Sequence, residues 1–482
     1  LDVAKRVARN AIYRTAALII GNASGLFLTV YLARLLKPEQ FGIYSLTLSI
    51  AMLAIAFANL GIDGAVVRYI AYHAGKQDLR KVRGHFRYFL RIKLLLITMV
   101  SALMVLFSDG AAALFRNSAL AKPLVISGFL VLFASIMSFF NSFFVGLQEF
   151  KFVFLRQTVY EVSRWIFVIP LATLFLAAGA VGGVALAYLV TLLLLAFMVL
   201  RRYGEYVFGE ADARDENVRV FMGFMTIASI SGIIYAYVDS LMVGYFIGAT
   251  DVGYYRAAFT IVFAIVGILG MADVLFPAFT QLGGNDLSNA VNRLAKYTSA
   301  IAFPAAVGLA FLSEGIIKVV YGTGYLAAAQ PMVILSFVLI PASFNYLLTV
   351  FGAKEMPQYS AYIITVSMLL NVVLNYFLIN AMGISGAALA TLISRVFSIV
   401  LGMYLLYRVL GLGVPIRVSA KPAVCSMIML AVLVILPPPE SLIFGLVEVV
   451  LAALVYLILL FVVRGITRED VRYIARALGV YE

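Results

Sequence analysis

Asp239 and Arg395 each stand deep inside a long run of apolar residues. Arg34 and Arg256 lie near the ends of two other runs, and Arg14, Asp63, Arg68, Glu161, Arg164 and Asp273 near the opposite ends of theirs. Ionisable groups in such surroundings pair with one another, face water, or bind something of opposite charge. A guanidinium presents a planar fork of donors that fits phosphate oxygens, and a carboxylate can take up a proton or a small cation. Arg34, Arg256, Arg395, Arg164 and Arg68, with Asn22, are therefore the candidates for binding an anionic group, and Asp239, Asp273 and Asp63 the candidates for holding Na+ or H+.

Plainer roles compete. Arg14, Arg68, Arg87, Arg91 and Lys93 lie close enough to the ends of their runs to snorkel toward lipid headgroups. Glu161 and Arg164 are three apart, hence on one helical face, and could be a neutralised brace between helices. Asn59, Asn141, Asn345, Asn371 and Asn375 could line a polar space or hydrogen-bond between helices.

The runs that carry these groups are the dominant feature of the chain. Of 482 residues, 64% are hydrophobic and 12% charged. A bilayer core about 30 Å thick needs about 20 apolar residues per helix, and backbone groups in lipid must be satisfied within their own segment. Fourteen such runs between residues 11 and 464 make this an all-α, polytopic membrane protein.

The basic residues give an orientation. Of the 36 Lys and Arg, 29 fall on the side of the N-terminus, six on the opposite side, and Arg395 inside a run. Positive loops stay in the cytoplasm, so both termini are expected there, in a multi-pass protein of the cell membrane. The net charge of +13 is spread through short segments beside the runs, which suits anionic lipid headgroups and argues against nucleic acid. The single cysteine, Cys425, excludes an internal disulfide.

Residues 204–219 form the longest polar interval in the middle of the chain and are expected to link two halves. Setting YLARLLKPEQFGIYSL (31–46) against MVGYFIGATDVGYYRA (242–257) aligns Gly42 with Gly253 and Tyr44 with Tyr255. Gly146 and Glu149 match Gly352 and Glu355, and Gly183 matches Gly386. The expected organisation is a six-helix lobe over 1–203, a linker over 204–219, and a second six-helix lobe over 220–410. Two further helices over 411–464 and an amphipathic cytoplasmic tail over 465–482 follow. Parallel repeats of an even helix number are related by an axis along the membrane normal, with a cavity between them, and suit alternating access.

Several chemistries lack their parts. His73 and His85 are the only histidines and both fall in a basic loop, and no GxxxxGK[ST] phosphate loop is present. No catalytic residue, metal site or cofactor is expected, and the chain is not expected to be an enzyme.

YLARLLKPEQFGIYSL, then LGIDGAVVRYIA and GLQEFKF, resemble the opening of the prokaryotic polysaccharide-biosynthesis membrane proteins, the lipid-linked oligosaccharide flippases. VVYGTGYLAAAQPMVILSF (319–337) and GISGAALATLISRV (383–396) resemble later parts of the same family, so the likeness covers nearly the whole chain. It implies the multidrug, oligosaccharidyl-lipid and polysaccharide exporter superfamily, with two six-helix lobes around a cavity. The implied cargo is a glycan on an isoprenoid phosphate or diphosphate, moved at the expense of an ion gradient by a monomer or weak oligomer. A multidrug cation antiporter of the same fold is the alternative, for which an acidic or apolar cavity is expected. A membrane glycosyltransferase, from another class, would need a catalytic acid at one surface.

Overall fold

A computed structural model describes residues 2–212, 218–270, 276–413, 416–435, 442–467, 469–470 and 472. Among them the ordered elements are all helical. In chain order the first helices are α1 (Asp2–Asn59), α2 (Ile62–Gly75), α3 (Leu79–Leu106), α4 (Ser108–Leu114), α5 (Ala121–Gly146), α6 (Phe150–Arg202), α7 (Val218–Phe246) and α8 (Ala249–Leu269). Then come α9 (Phe276–Gln281), α10 (Gly284–Phe311), α11 (Ser313–Val320), α12 (Ala329–Ser336), α13 (Leu339–Ala342) and α14 (Tyr346–Ala353). The last are α15 (Pro357–Met382), α16 (Ile384–Leu410), α17 (Ile416–Ile435) and α18 (Leu442–Val462).

Among the described residues ten helices are long and apolar enough to cross a membrane, or eleven if the bent pair Thr323–Ser336 and Leu339–Ala353 counts as one span. Two of the ten are interrupted. Helix α1 breaks at Lys37 (φ 59°), whose backbone is barred from the helical region by Pro38, and α6 breaks at Leu176 (φ 53°).

Residues with left-handed backbone recur in the same order in the two halves of the chain. Lys37 is followed by Gly248 at a separation of 211 residues. Gln77 and Gly284, Arg116 and Gly322, Gln148 and Glu355, and Leu176 and Gly383 follow at separations of 206 or 207. These positions lie at helix termini or at the breaks in α1 and α6. The sequence alignment shifts slightly in consequence. A methyl group on Gly386 would clash with the Leu378 carbonyl as one on Gly179 would with the Leu171 carbonyl, so the counterpart of Gly386 is Gly179 and not Gly183.

The chain divides into two compact units. The first comprises 1–260 and 364–387, and its core gathers Val66, Phe86, Phe89, Phe139, Phe143 and Phe144. The second comprises 261–363 and 388–482. In it α17 and α18 pack on α10, with Cys425 buried among them, the Ser299 and Ser419 hydroxyls 2.7 Å apart, and Tyr456 donating to the Ala300 carbonyl.

Residues 204–212 of the expected linker are fastened to α3. Arg83 Nε donates to the Glu205 carbonyl at 2.6 Å, and Arg87 reaches the Val207 and Gly209 carbonyls at 2.9 and 3.0 Å. Arg87 was a snorkelling candidate and is instead a clamp. Beside it Tyr203 packs on Phe143, Phe144 and Phe152, and burial together with Glu149 pushes its phenol up to about 12. Residues 213–217, and most of the expected tail, lie outside the described residues.

Candidate functional site

Three polar clusters lie inside the first unit, each assembled from residues far apart in sequence. The largest is built on the first part of α6, where Gln157, Tyr160, Glu161 and Arg164 share a face at helical spacing. Arg164 Nη1 lies 3.0 and 3.3 Å from the two Glu161 oxygens, an ion pair within α6. Gln157 Nε2 donates to Glu161 Oε1 at 2.8 Å, and Ser24 Oγ of α1 donates to Oε2 at 2.8 Å. Ser24 in turn accepts from Trp165 Nε1 at 2.9 Å. Gly21 of the same helix permits the approach, because a methyl group there would come 2.7 Å from Gln157 Nε2.

Around this network stand aromatic rings and a second arginine. Tyr160 and Tyr188 are 4.6 Å apart between ring centres, and the Arg164 guanidinium lies 5.3 Å from the Tyr160 ring. Arg256 of α8 lies 4.6 Å from the Phe259 ring and 5.9 Å from that of Tyr237. Tyr44, beyond the break in α1, is buried where Arg164, Tyr188, Arg256 and Tyr237 all act on it electrostatically. Among the described residues no carboxylate forms an ion pair with Arg256. A guanidinium stacked on rings keeps the edge of its fork for other partners, and such stacking contributes about 0.5–2 kcal/mol.

The second cluster is centred on Asp239 of α7, which is 3% exposed. Tyr255 Oη of α8 donates to one carboxylate oxygen at 2.8 Å and Asn375 Nδ2 of α15 to the other at 2.6 Å. Asn375 also donates to Asn371 Oδ1 at 3.1 Å. The Asn375 Oδ1 oxygen is buried and accepts no hydrogen bond among the described residues. The Asp239 and Asn371 oxygens, from α7 and α15, thus meet at the Asn375 amide nitrogen.

The third cluster corrects the sequence. Lys93, a snorkelling candidate, has no exposed side-chain surface and donates to Asp63 Oδ1 and Asn59 Oδ1, both at 2.8 Å. Ser138 Oγ donates to Asp63 Oδ2 at 2.7 Å. Asp63, expected among the ion-coupling acids, is therefore committed to an internal pair.

The remaining candidates scatter. Arg34 and Asn22 are exposed on α1, and Arg68 is exposed with its guanidinium 5.9 Å from the Tyr69 ring. Arg395 belongs to the second unit, 5.7 Å from the Phe263 ring. Asp273 lies outside the described residues. Sequence reasoning missed Tyr44, Tyr160, Tyr188 and Tyr237, since a tyrosine in an apolar run is ordinarily core. The signal available for Tyr255 was its alignment with Tyr44 two residues after a repeated glycine.

Comparison with known proteins follows the same lines. The fold is that of the lipid II flippase MurJ in its inward closed conformation, with a TM-score of 0.75, 18% identity, and coverage of 94% of this chain and 98% of that one. An inward-facing multidrug resistance MATE family transporter of the MOP superfamily is similar over 81% of this chain and 96% of its own, with a TM-score of 0.66 and 16% identity. In sequence, a putative O-antigen transporter of Shigella flexneri is 25% identical over 78% of this chain and 92% of its own length. The family model described as polysaccharide biosynthesis protein matches residues 7–283, more than half of the chain, and the chain belongs to that family.

Proposed function

We propose that this protein is a flippase that carries a glycan on an isoprenoid phosphate or diphosphate across the cell membrane by alternating access, coupled to Na+ or H+. The observation that carries this reading is Arg256, a half-buried cation near one end of its span, 4.6 Å from the Phe259 ring and 5.9 Å from that of Tyr237, with no carboxylate partner among the described residues. A charge there must be matched by water or by an anionic guest, and a phosphate is the anion that its fork fits. Arg164 adds positive charge, partly cancelled by Glu161, and the tyrosine faces offer surfaces on which sugar rings can lie.

Ion coupling is assigned to Asp239. Its carboxylate is buried and accepts from Tyr255 and Asn375, and an acid in such surroundings can take up a proton or a small cation. Asp63 is withdrawn from that role by Lys93. Membership in the polysaccharide-biosynthesis family and the likeness to a putative O-antigen transporter support a glycan cargo.

The topology proposed is fourteen crossings. The broken helices α1 and α6 count twice, and the bent pair and the shorter apolar helix Val447–Val462 once each, beside the other eight. Six crossings fall in each of two lobes, 1–203 and 220–410, and two in 411–464, with the termini in the cytoplasm as the basic residues direct. Arg34, Arg68, Arg395 and Asn22 stay as secondary substrate contacts, Asp273 as a secondary ion contact.

The decisive experiment reconstitutes the protein in liposomes with a fluorescent lipid-linked oligosaccharide and follows its exposure on the far leaflet. Arg256→Ala is expected to slow flipping at least tenfold at unchanged thermal stability, and unchanged flipping would overturn the assignment. A buried acid in a MATE-like fold also supports a second reading, export of cationic drugs. Gradient-driven extrusion of a cationic dye with no glycan movement would establish that reading instead.

A further inference from the structure

Gly42 and Gly253 meet back to back. A methyl group on Gly42 would fall well under 3.0 Å from the Ala249 carbonyl oxygen and 3.0 Å from the Gly253 nitrogen. One on Gly253 would fall well under 3.0 Å from the Pro38 carbonyl oxygen and 3.3 Å from the Gly42 nitrogen. The contact is reciprocal, because Pro38 precedes Gly42 as Ala249 precedes Gly253. Two copies of one motif press their glycines on each other's carbonyls, the self-complementary geometry of a two-fold interface realised within one chain.

The backbone of neither residue requires glycine, since neither has positive φ. Both lie inside helices, where glycine is disfavoured relative to alanine. The close approach is what needs them. Gly110, by contrast, has nothing within 4 Å of where a methyl group would stand.

Two residues beyond each glycine stands a tyrosine that reaches one of the polar clusters. Tyr44 is buried within the field of Arg164 and Arg256, and Tyr255 donates to Asp239. We infer that the turns Pro38–Tyr44 and Ala249–Tyr255 form the outer seal of the transport cycle, closed here by direct backbone contact, and that its opening displaces the substrate cluster and the ion cluster together. This rests on the proposed flippase function and on the outward orientation of these turns. Contact between backbones needs no side-chain repacking and is individually weak, which lets it part and close again as a unit.

Thiol labelling tests the seal without any cargo. In a Cys425→Ser background, Ser45→Cys places one buried thiol directly behind Tyr44. A membrane-impermeant thiol reagent added outside proteoliposomes should label it slowly. Gly42→Ala and Gly253→Ala should each speed labelling at least fivefold, and Gly110→Ala should leave the rate unchanged. Equal rates in all four proteins at unchanged thermal stability would overturn the seal.

Should the glycine variants fail to fold, spin labels at Glu39→Cys and Ile247→Cys in the otherwise intact Cys425→Ser protein decide the matter. Both sites flank the contact and are exposed. A second, longer distance should appear with sodium and geranylgeranyl diphosphate, and one short distance under every condition would overturn the proposal. A seal that opens in a protein moving no lipid-linked glycan would instead sink the functional reading and keep the seal.

Discussion

Glu161 and Asp239 are both buried acids within the first unit, and they are treated in opposite ways. Glu161 receives Arg164 from its own helix, Gln157 one turn earlier and Ser24 from α1. Its charge is answered locally, by residues that one stretch of α6 fixes in place. Asp239 is held by the neutral donors Tyr255 and Asn375, on two other helices, beside an amide oxygen with no hydrogen bond among the described residues. The first arrangement is complete as it stands. The second draws on three helices and holds only while they keep their positions, which is the behaviour that coupling to an ion gradient requires.

The sharpest way to break this comparison is to remove the charge from Asp239. Asp239→Asn keeps an oxygen for Tyr255 and should leave the fold intact, while glycan flipping loses its dependence on an imposed sodium or proton gradient and slows more than tenfold. Gradient dependence that survives the substitution would make Asp239 a structural acid like Glu161. At Glu161 the loss should appear in stability instead. Glu161→Gln leaves the Arg164 guanidinium buried without its counter-charge, for which about 3–5 kcal/mol is expected, read as a lower midpoint of thermal unfolding in detergent. A stability change near zero would mean that Arg164 finds another anion or water.

Membrane class, helical content and the repeated turns at Gly42 and Gly253 were legible in the sequence, because apolar run length and glycine in a repeated motif are local properties. The apolar setting of Asp239 was legible for the same reason. What escaped depends on which helix faces which. Lys93 is placed in sequence like Arg91, yet it is wholly buried against Asp63 of α2 while Arg91 is exposed. Periodicity sets a face but not its neighbour. The shift of the repeat from Gly183 to Gly179 had a similar cause, since both glycines approach backbone closely, Gly183 coming 2.5 Å from Val168 Cα, and only the carbonyl contact shared with Gly386 separates them.

Smaller substitutions sharpen the contrast. Tyr255→Phe removes one hydrogen bond from Asp239, for which about 1.5–3 kcal/mol is expected if the carboxylate is charged. Sodium should recover part of this, because the ion would supply what the hydroxyl gave up, so the variant's unfolding midpoint should rise with sodium more than the parent's. Equal sodium responses would separate Tyr255 from the ion site.

The smallest effect is expected at Ser24. Its hydroxyl donates to Glu161 and accepts from Trp165, so Ser24→Ala removes one of several donors to the carboxylate and the acceptor of the indole N–H. With Arg164 and Gln157 still in place, the cost should be about 1 kcal/mol. Trp165 is the only tryptophan in the chain, so its emission reports this site alone. The spectrum should shift in Ser24→Ala and stay unchanged in Tyr255→Phe, because the Glu161 network is anchored through α1 and α6 and the Asp239 network through α7, α8 and α15. If Tyr255→Phe moves the Trp165 emission as much as Ser24→Ala does, the two acids belong to one connected network, and the local answer to the Glu161 charge is no longer independent of the ion.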